Sequence, residues 1–81
     1  MKDYKIIGKV THYACLNNSY YGNPRYEVII ESEADIIRGK TQAKNSVGYS
    51  ILNNLQGVNE FTYHYTRTSN IIITKMKEIS R

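Results

Sequence analysis

Two short segments alternate strictly between apolar and polar residues, and this period of two constrains the fold more than any other feature of the chain. From Arg25 to Glu31, the residues Tyr26, Val28 and Ile30 point one way, while Arg25, Glu27 and Glu31 point the other. From Glu60 to Thr66, Phe61, Tyr63 and Tyr65 oppose Glu60, Thr62, His64 and Thr66. Both read as half-buried strands. Pro24 stands at the entrance of the first, where a missing N–H costs least.

Three further strands follow from weaker patterns. Tyr4 to Leu16 forms a long one whose apolar phase slips near Ile6-Ile7-Gly8, where a glycine suggests a bulge or a sharp bend. Ile36 to Gln42 forms another, joined to its predecessor by the acidic turn ESEAD as a short hairpin. Ile71 to Ile79, rich in β-branched residues before it turns basic, is the last. Between the third and fourth strands, Ala43, Val47, Ile51 and Leu55 recur every four residues, which predicts one apolar stripe on a helix of about three turns. Asn45 or Ser46 suits its start and Gly57 its end, while Gly48 weakens it by about 1 kcal/mol relative to alanine.

The predicted order is therefore strand, strand, strand, helix, strand, strand, in 81 residues that show no linker, repeat or low-complexity tract. That length accommodates a single domain, residues 1–81, with one small core. Five short strands cannot build a two-layer sandwich around so little material. A curved sheet that closes on itself removes its own edges, and a long bent first strand can pair on both sides of the closure. The expected fold is mainly β: a five-stranded small barrel with one short helix plugging an end. This β-β-β-α-β-β order resembles the OB-fold over nearly the whole chain, through topology and not through a residue motif. An SH3-like barrel and an open α+β sheet are the alternatives. A narrower resemblance rests on YGNPRYEV, followed by TQAKNSVGYSI and a strand pair near the C-terminus. This stretch is similar to a group of small proteins from phages and mobile elements of Gram-positive bacteria. There a Tyr-Gly-Asn-Pro-Arg-aromatic segment precedes a Val-x-Tyr-x-Ile-like helix. The resemblance implies a genomic setting and no particular activity.

Composition narrows the function. Eleven Lys and Arg against seven acids give a net charge of +4, which permits nucleic acid or another anionic partner. Ile, Asn, Tyr and Lys supply 34 of the 81 residues. All four have AT-rich codons, so the placement of the eight tyrosines carries information and their number does not. Cys15 is the lone cysteine, which rules out an internal disulfide, and it reads as a small buried hydrophobe. No apolar run approaches a membrane span, and the opening MKDYKIIGKV lacks the apolar stretch of a signal peptide. A cytoplasmic protein without membrane contact is expected. His12, His64 and Cys15 fall short of a zinc ligand set. Ser46 is explained as a helix cap and the ESEAD acids as a solvated turn, so neither catalysis nor a cofactor is expected.

The candidate surface centres on NNSYYGNPRYEVII, Asn17 to Ile30. Tyr20 and Tyr21, if extended, point to opposite sides, so that one packs and its neighbour is exposed. In an OB-like fold this segment borders the usual ligand face, where a tyrosine can stack a nucleobase. Tyr20, Tyr21 and Tyr13 are the candidate stacking residues. Lys9, Arg25, Arg38, Lys40 and Arg67 are the candidate backbone-holding cations, with Glu27 on the same outward phase opposing them. The leading expectation is a single-stranded DNA- or RNA-binding accessory protein of phage or mobile-element replication. The rival is a protein-binding module that docks on a larger replication protein or a host factor. An open strand at Ile71 to Lys75 would favour the rival through edge pairing, and a homodimer using the tyrosine surface is left open.

Overall fold

The computed structural model describes residues 2–16, 25–42 and 46–80. Five strands appear in the expected order: β1 (Tyr4–Cys15), β2 (Tyr26–Glu31), β3 (Ile36–Thr41), β4 (Val58–Tyr65) and β5 (Ile71–Ser80), with α1 (Val47–Asn53) between β3 and β4. They close into a barrel in the spatial order β1-β2-β3-β5-β4, a small OB-like barrel. The alternation drives this closure. Tyr26, Val28 and Ile30 from β2 are buried with Ile6, Ile37, Phe61, Tyr63 and Ile73, and Val47 and Ile51 of the helix complete the core.

Closure depends on β1, which serves two neighbours. Tyr4–Gly8 pair with β4, and Lys9–Cys15 pair with β2. The hand-over falls at Gly8, where the strand bends. A Cβ built on Gly8 would meet the Glu31 carbonyl oxygen, with the Glu31 carbonyl carbon at 2.8 Å and Ser32 Cα at 3.2 Å. The end of β2 therefore crosses β1 so closely that no side chain fits there. The phase slip itself lies elsewhere than expected. Ile6, Gly8 and Val10 keep one inward phase, and the register shifts between Val10 and His12. Thr11 is the bulged residue, and beyond it Tyr13 takes the inward phase opposite Val28.

The second seam is the parallel pairing of Gly39–Thr41 with Ile71–Ile73, extended by Gln42 N–H donating to the Ile73 carbonyl at 2.9 Å. Here too a glycine allows close approach, since a Cβ on Gly39 would sit 2.7 Å from Ile71 Cγ2. Ile71–Ile73 thus pair with β3 on one side and β4 on the other, so the open edge considered for Ile71 to Lys75 is not present over its first three residues.

The helix is shorter than the predicted three turns. It spans seven residues and ends at Asn54, whose N–H donates to Ile51 O at 3.1 Å, and not at Gly57. Ser46 does occupy the N-cap, without a side-chain hydrogen bond; Ala43 and Asn45 lie outside the described residues. An isolated helix this short is unstable in water, and Gly48 weakens it further. Packing of Val47 and Ile51 into the barrel end holds it in place, with Leu55 packed alongside. Two buried polar side chains fasten the same end. Thr41 Oγ1 accepts the Tyr26 N–H at 3.0 Å, and Asn59 Nδ2 donates to Asn54 O at 3.1 Å and Gly57 O at 3.3 Å. Tyr4, Tyr63 and Tyr65 cluster at the far end of β4, with ring centroids 5.4 to 5.9 Å apart and Lys2 Nζ 5.2 Å from the Tyr4 ring. Tyr65, expected on the buried face, is 44% exposed there because the strand runs out beneath it.

Candidate nucleic-acid interface

The outer surface of β1, β2 and β3 is built from residues that alternate with the core. Cross-strand register arranges them in three rows: Lys9, Glu31 and Ile36; His12, Ile29 and Arg38; and Ala14, Glu27 and Lys40. Adjacent rows stand about 6.6 Å apart along a strand, and neighbouring strands about 4.8 Å apart. Lys9, Arg38 and Lys40 are exposed. The structure does bring these three predicted cations onto one face, but with the acids threaded between them. Glu31 stands directly across from Lys9, and Glu27 directly across from Lys40. Opposite charges at such positions attract each other. The middle row carries no acid, so Arg38 is the cation least compensated by a cross-strand neighbour, with His12 in line beside it.

Arg67 is exposed on the β4–β5 turn. The turn is tightly organised. Thr66 N–H donates to Asn70 O at 2.8 Å, Ser69 N–H to Thr66 O at 3.0 Å, and Asn70 Nδ2 to Thr68 Oγ1 at 2.8 Å. Ser69 adopts a φ of 64°, the left-handed conformation that reverses the chain. The turn delivers Ile71 opposite Gly39, the residue next to Arg38 in β3.

The aromatic part of the prediction divides. Tyr20 and Tyr21 lie outside the described residues. Tyr13 is 52% exposed, its ring edge-on to Tyr26 at 6.1 Å. Tyr49 on α1, not singled out from the sequence, is equally exposed and is among the groups around the Tyr26 hydroxyl. Burial pushes the Tyr26 phenol above its ordinary pKa, and the neighbouring Cys15 thiol adds to the effect. Tyr63 is raised in the same way, by burial first and then by Tyr65.

Two expectations are corrected. Arg25 does not stand free on the outward phase. It is half-buried, its carbonyl accepts the Leu16 N–H at 2.9 Å, and its Nε is enclosed without a hydrogen-bond partner among the described residues. Cys15 is exposed, not buried, although the Thr11 bulge sets it opposite Tyr26 at the end of β1. That bulge also sets His12, weighed from the sequence only as a metal ligand, on the outer face in line with Ile29 and Arg38. Tyr49 was legible in principle, lying off the stripe of Val47 and Ile51.

Among the described residues, no three His, Cys, Asp or Glu side chains converge to hold a metal ion, and no helix is long and apolar enough to cross a membrane. Comparison of the chain with protein-family models, curated proteins and solved structures gives no match.

Proposed function

We infer that this protein binds single-stranded nucleic acid across the outer face of β2 and β3, acting by binding and not by catalysis. The observation that carries this reading is the exposure of Arg38 and Lys40 on the outer phase of β3, the ligand face customary for an OB-like barrel. Exposed Arg67 on the β4–β5 turn and exposed Tyr13 near the end of β1, on the inward phase, are further candidate contacts. Cations of this kind hold phosphates, and tyrosines of this exposure stack bases in a sequence-tolerant way. Its resemblance to small phage and mobile-element proteins supports a role as a cytoplasmic accessory factor of replication.

The interleaved acids keep the expected affinity modest. With about three phosphates neutralised, the slope of log K against log salt is about −2, so affinity falls roughly 20-fold between 50 and 200 mM salt. Fluorescence anisotropy of a labelled thirty-nucleotide strand, beside a duplex control, measures this directly. Arg38→Ala removes one phosphate contact and reduces the slope by about 0.7, whereas Lys77→Ala, on the opposite outer face across from Glu60, leaves it unchanged. Absence of binding at 50 mM salt, or equal slopes for the Arg38→Ala and unaltered proteins, would refute the reading.

A further inference from the structure

The hand-over of β1 leaves a strand edge without a neighbour. Tyr4–Gly8 pair with β4 on one side, but on the other side β2 has already ended at Glu31, and the chain turns back through Ser32 to Asp35. Among the described residues, no strand pairs with that second edge. In a strand, alternate residues direct their N–H and C=O groups to each side, so part of the Tyr4–Gly8 backbone faces outward into open space. A groove of about 1060 Å³ borders this edge and runs over the adjoining surface of β1. Its floor is Lys5 to Lys9 with exposed Ile7, one wall is the turn from Glu31 to Asp35, and the other is Val58 and Glu60 of β4.

The charge of the groove opposes that of the molecule. Four of the seven acids of the chain, Glu31, Glu33, Asp35 and Glu60, line it, against Lys5 and Lys9. Lys5 Nζ lies 3.8 Å from Glu60 Oε1, and Lys9 stands across from Glu31. Lys5 is thereby engaged and Lys9 faces an acid, while exposed Glu33 and Asp35 stand at the lip, Asp35 Oδ1 accepting the Ile36 N–H at 2.9 Å. The turn that carries them is fixed: Ser32 Oγ accepts the Asp35 N–H at 3.0 Å, and Ser32 N–H donates to Asp35 O at 2.8 Å. Phosphates are repelled by such a wall, so this is not an extension of the nucleic-acid face. Pairing of β1 with β1 of a second copy is disfavoured as well, because a two-fold interface brings like surfaces together and would set one acidic lip against the other.

We propose that this groove takes an extended, lysine- or arginine-bearing peptide segment of a partner protein, which adds as a strand to the Tyr4–Gly8 edge. The backbone edge supplies the hydrogen bonds, and side chains on alternate residues of the peptide meet Ile7 and the carboxylates. The length of the edge fits about five residues, roughly 17 Å. Such a contact tethers the protein to a larger one while leaving the β2–β3 face free.

The test is an NMR titration of the isotope-labelled full chain with an alternating Arg-Val heptapeptide. The comparison peptides replace every arginine by glutamate or N-methylate alternate amides. Expected are shifts confined to Tyr4–Lys9, Glu31–Asp35 and Val58–Glu60, slowed amide exchange at alternate residues of Tyr4–Gly8, and loss of binding by both comparison peptides. Glu33→Lys, at an exposed position, weakens the arginine peptide roughly two- to fivefold and leaves the protein spectrum otherwise intact. The proposal is overturned if the glutamate or N-methylated peptide binds equally well, if the shifts fall on β2 and β3 instead, or if sedimentation shows that a second copy of the chain occupies the edge. None of these readouts depends on nucleic-acid binding.

Discussion

Replacing Gly8 with alanine adds one methyl group at the point where β1 changes partners, and the structure specifies what that methyl meets. Its nearest neighbours are the Glu31 carbonyl group, carbon at 2.8 Å, and Ser32 Cα at 3.2 Å, all of them backbone. A flexible side chain could swing aside, but here a paired strand end must move. Overpacking of a close-packed site costs about 1–3 kcal/mol, and a backbone obstacle places this site at the upper end. Alanine in a strand regains about 0.5–1 kcal/mol relative to glycine, which leaves a net loss of about 2 kcal/mol. For a domain of this size that lowers the melting temperature by roughly 8–16 °C. Urea and thermal unfolding followed by circular dichroism measure it, with an unchanged m-value showing that the native state still closes. Gly39→Ala at the other seam is the internal comparison. Its first obstacle is the Ile71 side chain, Cγ2 at 2.7 Å, so Ile71→Ala relieves part of the clash in the double variant and leaves Ile71 O at 3.1 Å and Cβ at 3.2 Å. No side-chain substitution relieves the clash at Gly8. A Gly8→Ala protein within about 0.5 kcal/mol of the original, the range of ordinary surface changes, would refute the view that this crossing closes the barrel.

Other predictions follow from the buried groups. Thr41→Val leaves the Tyr26 N–H without its 3.0 Å acceptor and costs about 1–3 kcal/mol in urea unfolding; serine at the same position retains most of that. Ile51→Ala, at 1% exposure, costs about 2–5 kcal/mol and accelerates amide exchange throughout Val47–Asn53, since packing is what holds that helix. Tyr26 and Tyr63 hold their protons in the folded state beyond the ordinary phenol pKa near 10. Their contribution to stability is therefore complete below pH 10 and is lost as pH rises through the folded-state values. In an alkaline absorbance titration Tyr26→Phe and Tyr63→Phe each remove a phenol that ionises above pH 10; a variant whose lost amplitude lies below pH 10 would contradict the assignment.

The alternating segments alone were enough to identify β2 and most of β4, because a period of two assigns every residue to a face whatever the neighbours are. Tyr26, Val28, Ile30, Phe61 and Tyr63 all lie in the core as that pattern requires. The element order, read with the length of the first strand, was enough to anticipate a closed barrel. Positions that depend on how strands meet were not legible. Gly8 looks like a phase slip in one dimension, yet its role is to admit the end of β2, a contact with residues more than twenty positions away. The bulge at Thr11 has no sequence mark, and it decides that His12 lines up with Arg38 and that Tyr13 falls opposite Val28. The alternating charges of β2 were visible, but only cross-strand register shows that Glu27 faces Lys40 and Glu31 faces Lys9. Local patterns determine which way a side chain points, since sterics and burial act residue by residue. Which side chains it then meets is set by register, bulge and closure, and those belong to pairs of strands.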